Sequence, residues 1–292
     1  MVDFSKLTKP YLIAEIGINH NGDLQIAKKL IDATFACSWD CVKFQKKNPA
    51  LCVPENQKHS EKDTPWGKMT YLDYKYRLEF GKKEYDYIDT YCREKPIDWT
   101  VSVWDVDSLT FAMQFELPFL KIPSANLTNH DLLKQACRTK LPVIVSVGMS
   151  TLDEIDGAVK LLEKYASQFV LMHCNSSYPA KLDELNLRMI PKLRDRYQCV
   201  IGYSGHEYGL DSTTIAVSMG ARVIERHITL DHSMWGTDHS SSVEIQGMDK
   251  LCKQIASVAK VLGNGEKTLY ESEKAVRAKL RGDVICDKQC KA

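Results

Sequence analysis

From Tyr11 onward, short apolar runs rich in β-branched residues recur along the chain, and after most of them apolar residues return every third or fourth position. The runs predict strands over 11–16, 41–45, 99–103, 118–122, 142–147, 169–173, 199–203 and 222–228. The periodic stretches predict helices: from Leu24, where Ile26, Ala27, Leu30, Ile31 and Thr34 share a face; over 85–94, 107–115 and 129–138; from Thr151; and over about 185–196, 208–220 and 246–262. Asp23 is placed to cap the first helix, and Thr151-Leu152-Asp153-Glu154 fits a capping box. One segment breaks the rhythm. Residues 46–80 form a long insertion rich in Lys, Pro, Trp and Tyr, with a helical pattern over its last part, MTYLDYKYRLEF. Insertions of this length are commonly lids or binding loops.

Eight strand–helix units with no dividing Gly/Ser linker favour a closed (β/α)8 TIM barrel, here over residues 1–265, followed by a linker-like tail over 266–292. The alternative is an open doubly wound sheet, whose Gly-x-Gly-x-x-Gly turn is absent after the first strand. In a barrel the chemistry gathers at the C-terminal strand ends. Polar residues fall there on every strand: Glu15; Lys43 and Gln45; Trp104 and Asp105; Lys121, Ser124 and Asn126; Ser146; Asn175, Ser176 and Tyr178; Ser204 and His206; Glu225 and His227.

Two features of this set point to specific chemistry. His206 and His227 end successive parallel strands, which brings two imidazoles side by side, able to hold a divalent metal and leave positions open for substrate. Lys43 and Lys121, each surrounded by β-formers, with Ser124, Ser146 and Ser204 nearby, suit a phosphate or carboxylate. Glu15 and Asp238 are the acids placed to move protons, although Glu15 can equally pair with a lysine and Asp238 can cap the segment after it. Cys174 makes a poor nucleophile, since His173 points to the other face of the strand. His59 and His130 read as ordinary surface residues.

Bulk properties narrow the classes. With 39 basic and 38 acidic side chains the net charge is +1, so no general field draws nucleic acid or an anionic membrane. No signal peptide or membrane-length apolar run is evident, and a soluble cytoplasmic protein is expected. The ten cysteines are dilute and several lie inside predicted strands, so reduced, mostly buried thiols are expected, with Cys286 and Cys290 a weak half-site for metal.

Seven segments, AEIGINHNGD (14–23), VKFQ (42–45), FLKIPSANLTN (119–129), PVIVSVGMST (142–151), IGYSGH (201–206), ERHIT (225–229) and WGTDHSSSVE (235–244), resemble the sialic acid synthase family of phosphoenolpyruvate-dependent condensing enzymes. The match runs in order from Tyr11 to Arg281. The resemblance implies condensation of phosphoenolpyruvate with an open-chain aldose, N-acetylmannosamine-like, to give a 2-keto-3-deoxy sugar acid and phosphate. It implies Mn2+ on His206 and His227, with Mg2+ or Co2+ as alternatives, and phosphoenolpyruvate held by Lys43, Lys121, Ser124, Ser146 and Ser204. Glu15, Asp238 and Tyr178 would serve catalysis; Asn19, Gln45, Asn126, Ser176 and Glu225 would face the sugar. Family members usually continue into an antifreeze-protein-like domain that closes a partner's sugar site. The sequence stops before one, so a homodimer is expected to rest on barrel surfaces. Asn126 stands where many relatives carry an acid. The alternatives are a synthase for a different or phosphorylated aldose, of the 3-deoxy-octulosonate type, and a non-catalytic sugar-phosphate binder.

Overall fold

The eight expected strands are present, all parallel, and they close on themselves in a computed structural model that describes residues 1–281. They are β1 (Tyr11–Gly17), β2 (Cys41–Lys46), β3 (Asp98–Val103), β4 (Leu120–Ile122), β5 (Val143–Ser146), β6 (Phe169–Cys174), β7 (Val200–Gly205) and β8 (Val223–Thr229). Closure is made by β1, which pairs with β2 on one side and β8 on the other. The surrounding helices are α1 (Leu24–Ala36), α2 (Lys82–Glu94), α3 (Val106–Ala112), α4 (His130–Arg138), α5 (Leu152–Tyr165), α6 (Met189–Tyr197), α7 (Asp211–Ser218) and α8 (Ile245–Leu262). This is a (β/α)8 barrel. The barrel lies in a compact unit of Met1–Val258; a second unit begins at Ala259 and carries α9 (Glu271–Arg281) within the segment expected to be linker-like. No helix among the described residues is long and apolar enough to cross a membrane.

Alternation along each strand sorts side chains into two cores. Leu12, Ala14, Ile16, Val42, Phe44, Trp99, Val101, Leu120, Val143, Leu171 and Ile224 face outward and pack against the helices. Tyr11, Ile13, Cys41, Phe119, Ile144, Val170, Met172 and Val223 fill the barrel interior toward its N-terminal end, where Phe4 closes it. Inward positions therefore change character along the strand. On β1 the series runs Tyr11, Ile13, Glu15; on β2 Cys41, Lys43, Gln45; on β8 Val223, Glu225, His227. The lower half is a dry plug, and the upper half is chemistry standing on it.

Several boundaries differ from expectation for local reasons. β4 is three residues long because prolines 118 and 123 flank it and cannot donate to the ladder. α6 begins at Met189, which puts Pro191 in the first turn, where its missing N–H is tolerated. α7 begins past Gly209, whose φ of 83° is left-handed. The insertion is more structured than its pattern suggested: Glu61–Thr64 and Gly67–Thr70 form an antiparallel hairpin, and Thr70 caps a short lid helix over Tyr71–Leu78. Met69 and Thr70, read as the start of that helix, belong to the hairpin. The capping box at Thr151 and Glu154 forms as expected.

Eight cysteines are free among the described residues, and five of them are buried. Cys286 and Cys290 lie outside the described residues.

Candidate active site

Register decides which polar groups meet. Glu15 on β1 is paired with Lys43 on β2 and with His227 on β8. Ser204 on β7 is paired with Glu225 on β8, and Cys174 on β6 with Ser204. The inward members of these pairs form one wall. Together with Gln45, Ser102, Trp104, Lys121, Ser124, Ser146, Ser176, Tyr178 and His206 they enclose a cavity of about 250 Å3 at the C-terminal mouth of the barrel.

Its floor is a network of two ammonium groups and two carboxylates, all buried. Lys43 Nζ lies 2.6 Å from Glu15 Oε2 and 3.7 Å from Glu225 Oε2, and Lys121 Nζ lies 3.2 Å from Glu225 Oε1. Ser204 donates to Glu225 Oε1 at 3.1 Å, and Gln45 Nε2 donates to Glu15 Oε1 at 2.9 Å. Burial alone raises the Glu225 carboxyl, but Lys121 and Lys43 outweigh it and hold Glu225 down at about 2. Glu15 is raised, by burial first, with the neighbouring Glu225 charge adding to it. Burial lowers Lys121. Two carboxylates of one site are thus pushed apart, one held charged and one fitted to carry a proton.

Donors line the side wall. The Ser146 hydroxyl and the Trp104 indole N–H are buried without a partner. Ser124 accepts from the Gly148 N–H at 3.1 Å. Gly148 is needed here, since a Cβ on it would drive into the side chains of Ser124, Cys174 and Ser176. Cys174 contacts Ser124 at 3.2 Å, and burial raises its thiol, away from the thiolate form a nucleophile uses. His173 faces outward and bonds the Leu185 carbonyl at 2.7 Å.

The imidazoles stand at one side of the mouth. His206 Nδ1 donates to the Asn175 carbonyl at 2.5 Å, which leaves Nε2 with its lone pair toward the cavity. His227 Nδ1 is 3.7 Å from Asp238 Oδ2. Both Nε2 atoms converge on the Tyr178 hydroxyl, at 2.8 Å from His206 and 3.3 Å from His227. Burial holds both rings down at about 4, so both are neutral at physiological pH. One phenolic proton serves two acceptor nitrogens. Neutral imidazoles converging on one point suit a divalent cation better than they suit each other. No cluster of three or more His, Cys, Asp or Glu side chains able to hold a metal occurs among the described residues, so the imidazole donors a cation could find there are this pair.

Three expected site residues are not on the cavity wall. Asn19 donates its amide to the Ile228 carbonyl and to Ser242 Oγ, both at 2.8 Å, and so braces the loop after β8. Asn126 donates to the Trp104 carbonyl at 2.9 Å and props the loop after β3. Asp238 sits behind His227. Glu225 is on the wall, though as the counter-ion of both lysines. Other polar residues that crowd the β7–β8 motif are structural: Arg226 faces outward onto Glu207 at 3.0 Å, and His239 bonds Thr229 Oγ1 at 2.7 Å. Ser102 was missed, although it shares the inward parity of Thr100 beside Lys43 and Gln45.

Comparison with known proteins gives the family. N-acetylneuraminate-9-phosphate synthase of Homo sapiens is 35% identical over 283 residues, covering 94% of this chain and 77% of that protein. N,N'-diacetyllegionaminic acid synthase of Legionella pneumophila is also 35% identical, covering 94% and 79%. The crystal structure of an N-acetylneuraminic acid synthetase from Leptospira borgpetersenii, in complex with citrate, superposes with a TM-score of 0.83 at 33% identity over 94% of this chain and 93% of that one. Barrel, site and relatives together define an enzyme of the sugar-acid synthase class. The NeuB family model matches residues 30–267, and the chain belongs to the NeuB family.

Proposed function

We propose that the chain condenses phosphoenolpyruvate with an open-chain, N-acetylmannosamine-like aldose, releasing phosphate and a 2-keto-3-deoxy sugar acid. The observation that carries this reading is the vertical order of the cavity: an anion floor of Lys43, Lys121 and serine hydroxyls beneath a pair of converging imidazoles. An anion and a carbonyl compound would meet there, as a carbon–carbon condensation requires.

Lys43, Lys121, Ser124, Ser146 and Ser204 would bind the phosphate and carboxylate of phosphoenolpyruvate, with the unpartnered Ser146 hydroxyl as the uncommitted donor. His206 and His227 would hold a divalent ion, Mn2+ by family resemblance, which when bound polarises the aldehyde as a Lewis acid. Carbon 3 of phosphoenolpyruvate attacks the aldehyde carbon, whose oxygen takes up a proton and becomes a hydroxyl. Water adds at carbon 2 with loss of a proton, and the adduct expels inorganic phosphate to leave the ketone. Glu15, raised by burial, would exchange protons at its carboxyl beside Gln45, while Asp238 and the Tyr178 hydroxyl serve the imidazole side.

The experiment is a phosphate-release assay of the full chain with Mn2+, phosphoenolpyruvate and a panel of aldoses, with the product identified by mass. Aldose-dependent release with a product of the summed mass of the two substrates plus one water less phosphoric acid is the expected result; release without an aldose, or none with any, refutes the reading.

A further inference from the structure

The catalytic cavity uses Lys43 and Lys121 and leaves a second group of cations unexplained. Lys47 continues the inward line Lys43, Gln45 past the end of β2, which at about 3.3 Å per residue puts it roughly 13 Å further toward the mouth than Lys43. Its ammonium lies 3.7 Å from the centroid of the Trp104 ring. Trp104 also lines a neighbouring cavity of about 180 Å3, bounded by Lys47, Cys52, Tyr71, Lys75 and Glu79. Lys75, on the lid helix, and Lys62, on the hairpin, both lie 5.2 Å from the Tyr74 ring, and Lys62 lies 5.8 Å from that of Trp235.

Cations outnumber their counter-charges here. The carboxylates acting on Lys47 and Lys75 are Glu79 and Asp238. Glu79 is already taken, by Lys46 at 3.4 Å and by the Lys47 backbone N–H at 3.2 Å. Among the described residues none of Lys47, Lys62 and Lys75 has a carboxylate oxygen within 4 Å, whereas Lys46, Lys68 and Lys82 each do. Burial, with the Lys75 charge next, lowers Lys47 to about 8, and burial together with Lys62 lowers Lys75. Holding the two largely buried ammonium groups of Lys47 and Lys75 beside aromatic faces, with Asp238 as the one carboxylate near them that Lys46 does not already take, is costly unless an anion joins them.

We propose that Lys47 and Lys75, with Lys62 at the rim, bind the terminal phosphate of a phosphorylated open-chain aldose and select that acceptor over its unphosphorylated parent. This rests on the condensation proposed above. With the aldehyde at the imidazoles, the chain of an aldose hexose adds five carbon–carbon bonds of about 1.5 Å each, enough to lead from the catalytic cavity toward its neighbour past their shared wall, Trp104. A phosphate monoester carries about −1.5 to −2 charge at neutral pH and matches the surplus better than a neutral hydroxyl does. Overall identity does not decide the question, since the human synthase named for a 9-phosphate and the Legionella synthase named without one are both 35% identical to this chain. The lysines carry the assignment.

The test is calorimetric titration of the full chain, with Mn2+ and without phosphoenolpyruvate, using N-acetylmannosamine and N-acetylmannosamine 6-phosphate. Wild type should prefer the 6-phosphate at least tenfold. In Lys47→Met/Lys75→Met that preference should fall below threefold, while Lys68→Met, which removes the same charge from an exposed hairpin position, should retain it. Equal affinity for the two sugars in wild type, binding of neither, or a preference that survives the double substitution overturns the proposal. Phosphate release is assayed separately, so absence of turnover with every aldose removes the condensation reading while the binding preference is still measured on its own.

Discussion

Replacing Glu225 with Gln tests the charge balance on which the anion floor depends. The substitution keeps the size and the accepting oxygen of the side chain and removes only its charge, leaving Lys43 and Lys121 buried with Glu15 as their one remaining carboxyl partner. Glu225 is held at about 2 instead of 4.5. At about 1.4 kcal/mol per pKa unit, that difference amounts to about 3 kcal/mol of folding stability, which agrees in size with the measured cost of breaking buried ion pairs. The sign follows from linkage. Between pH 4.5 and 2 the unfolded chain binds a proton that the folded one refuses, so this stabilisation is fully present above about pH 5.5 and is lost as the pH falls through 2. Urea unfolding at pH 7.5 should therefore find Glu225→Gln less stable by about 3 kcal/mol, and the gap should narrow below pH 4.5. Phosphoenolpyruvate, which supplies the missing negative charge, should raise the melting temperature of the variant more than that of wild type. A variant within 1 kcal/mol of wild type at pH 7.5, or one stabilised less by phosphoenolpyruvate, would show that the lysines do not depend on Glu225 as their counter-ion.

Four further outcomes are expected. His227→Ala should abolish phosphate release while circular dichroism stays native, and unchanged turnover would remove the metal role. Lys121→Met should raise KM for phosphoenolpyruvate at least tenfold, and a normal KM would take that lysine out of the anion floor. Mn2+ affinity, followed by electron paramagnetic resonance, should be level above about pH 5.5 and fall as the pH drops through about 4, where protons compete for the two imidazoles; a midpoint near 6.5 would mean that burial does not set their basicity. Asn19→Ala should cost about 1–3 kcal/mol in urea unfolding, because it removes the amide that the Ile228 carbonyl and the Ser242 hydroxyl oxygen accept from, and a KM change for the aldose without any stability change would restore Asn19 to the sugar site.

The difference between what the sequence disclosed and what it concealed follows from periodicity. Period-two alternation determines the inward face of each strand, so the pattern alone assigns Glu15, Lys43, Lys121, Ser146, Ser204, Glu225 and His227 to one end of a barrel. Loop residues have no such rule. Asn19, Asn126 and Asp238 share strand-end motifs with true wall residues, yet their side chains turn to brace backbone or to stand behind an imidazole, which depends on how neighbouring loops pack. Long-range pairing was also hidden. That Glu225 would bridge both lysines depends on the register of β1, β2, β4 and β8, set by closure of the barrel. The same holds for the insertion: its composition marks it as a lid or binding loop without saying where its lysines lie, which depends on the hairpin and helix that pack Trp66 at 5.6 Å and Tyr74 at 5.3 Å against Trp235. Trp235 belongs to the same loop as Asp238, next to His227, so one segment fixes both the acid behind that imidazole and the surface on which the helix of the insertion rests. The proposed acceptor-phosphate site and the imidazole pair would therefore be coupled through one loop, and a substitution that loosens Trp235 should disturb both together, whereas one at Lys75 should disturb the lysine side alone.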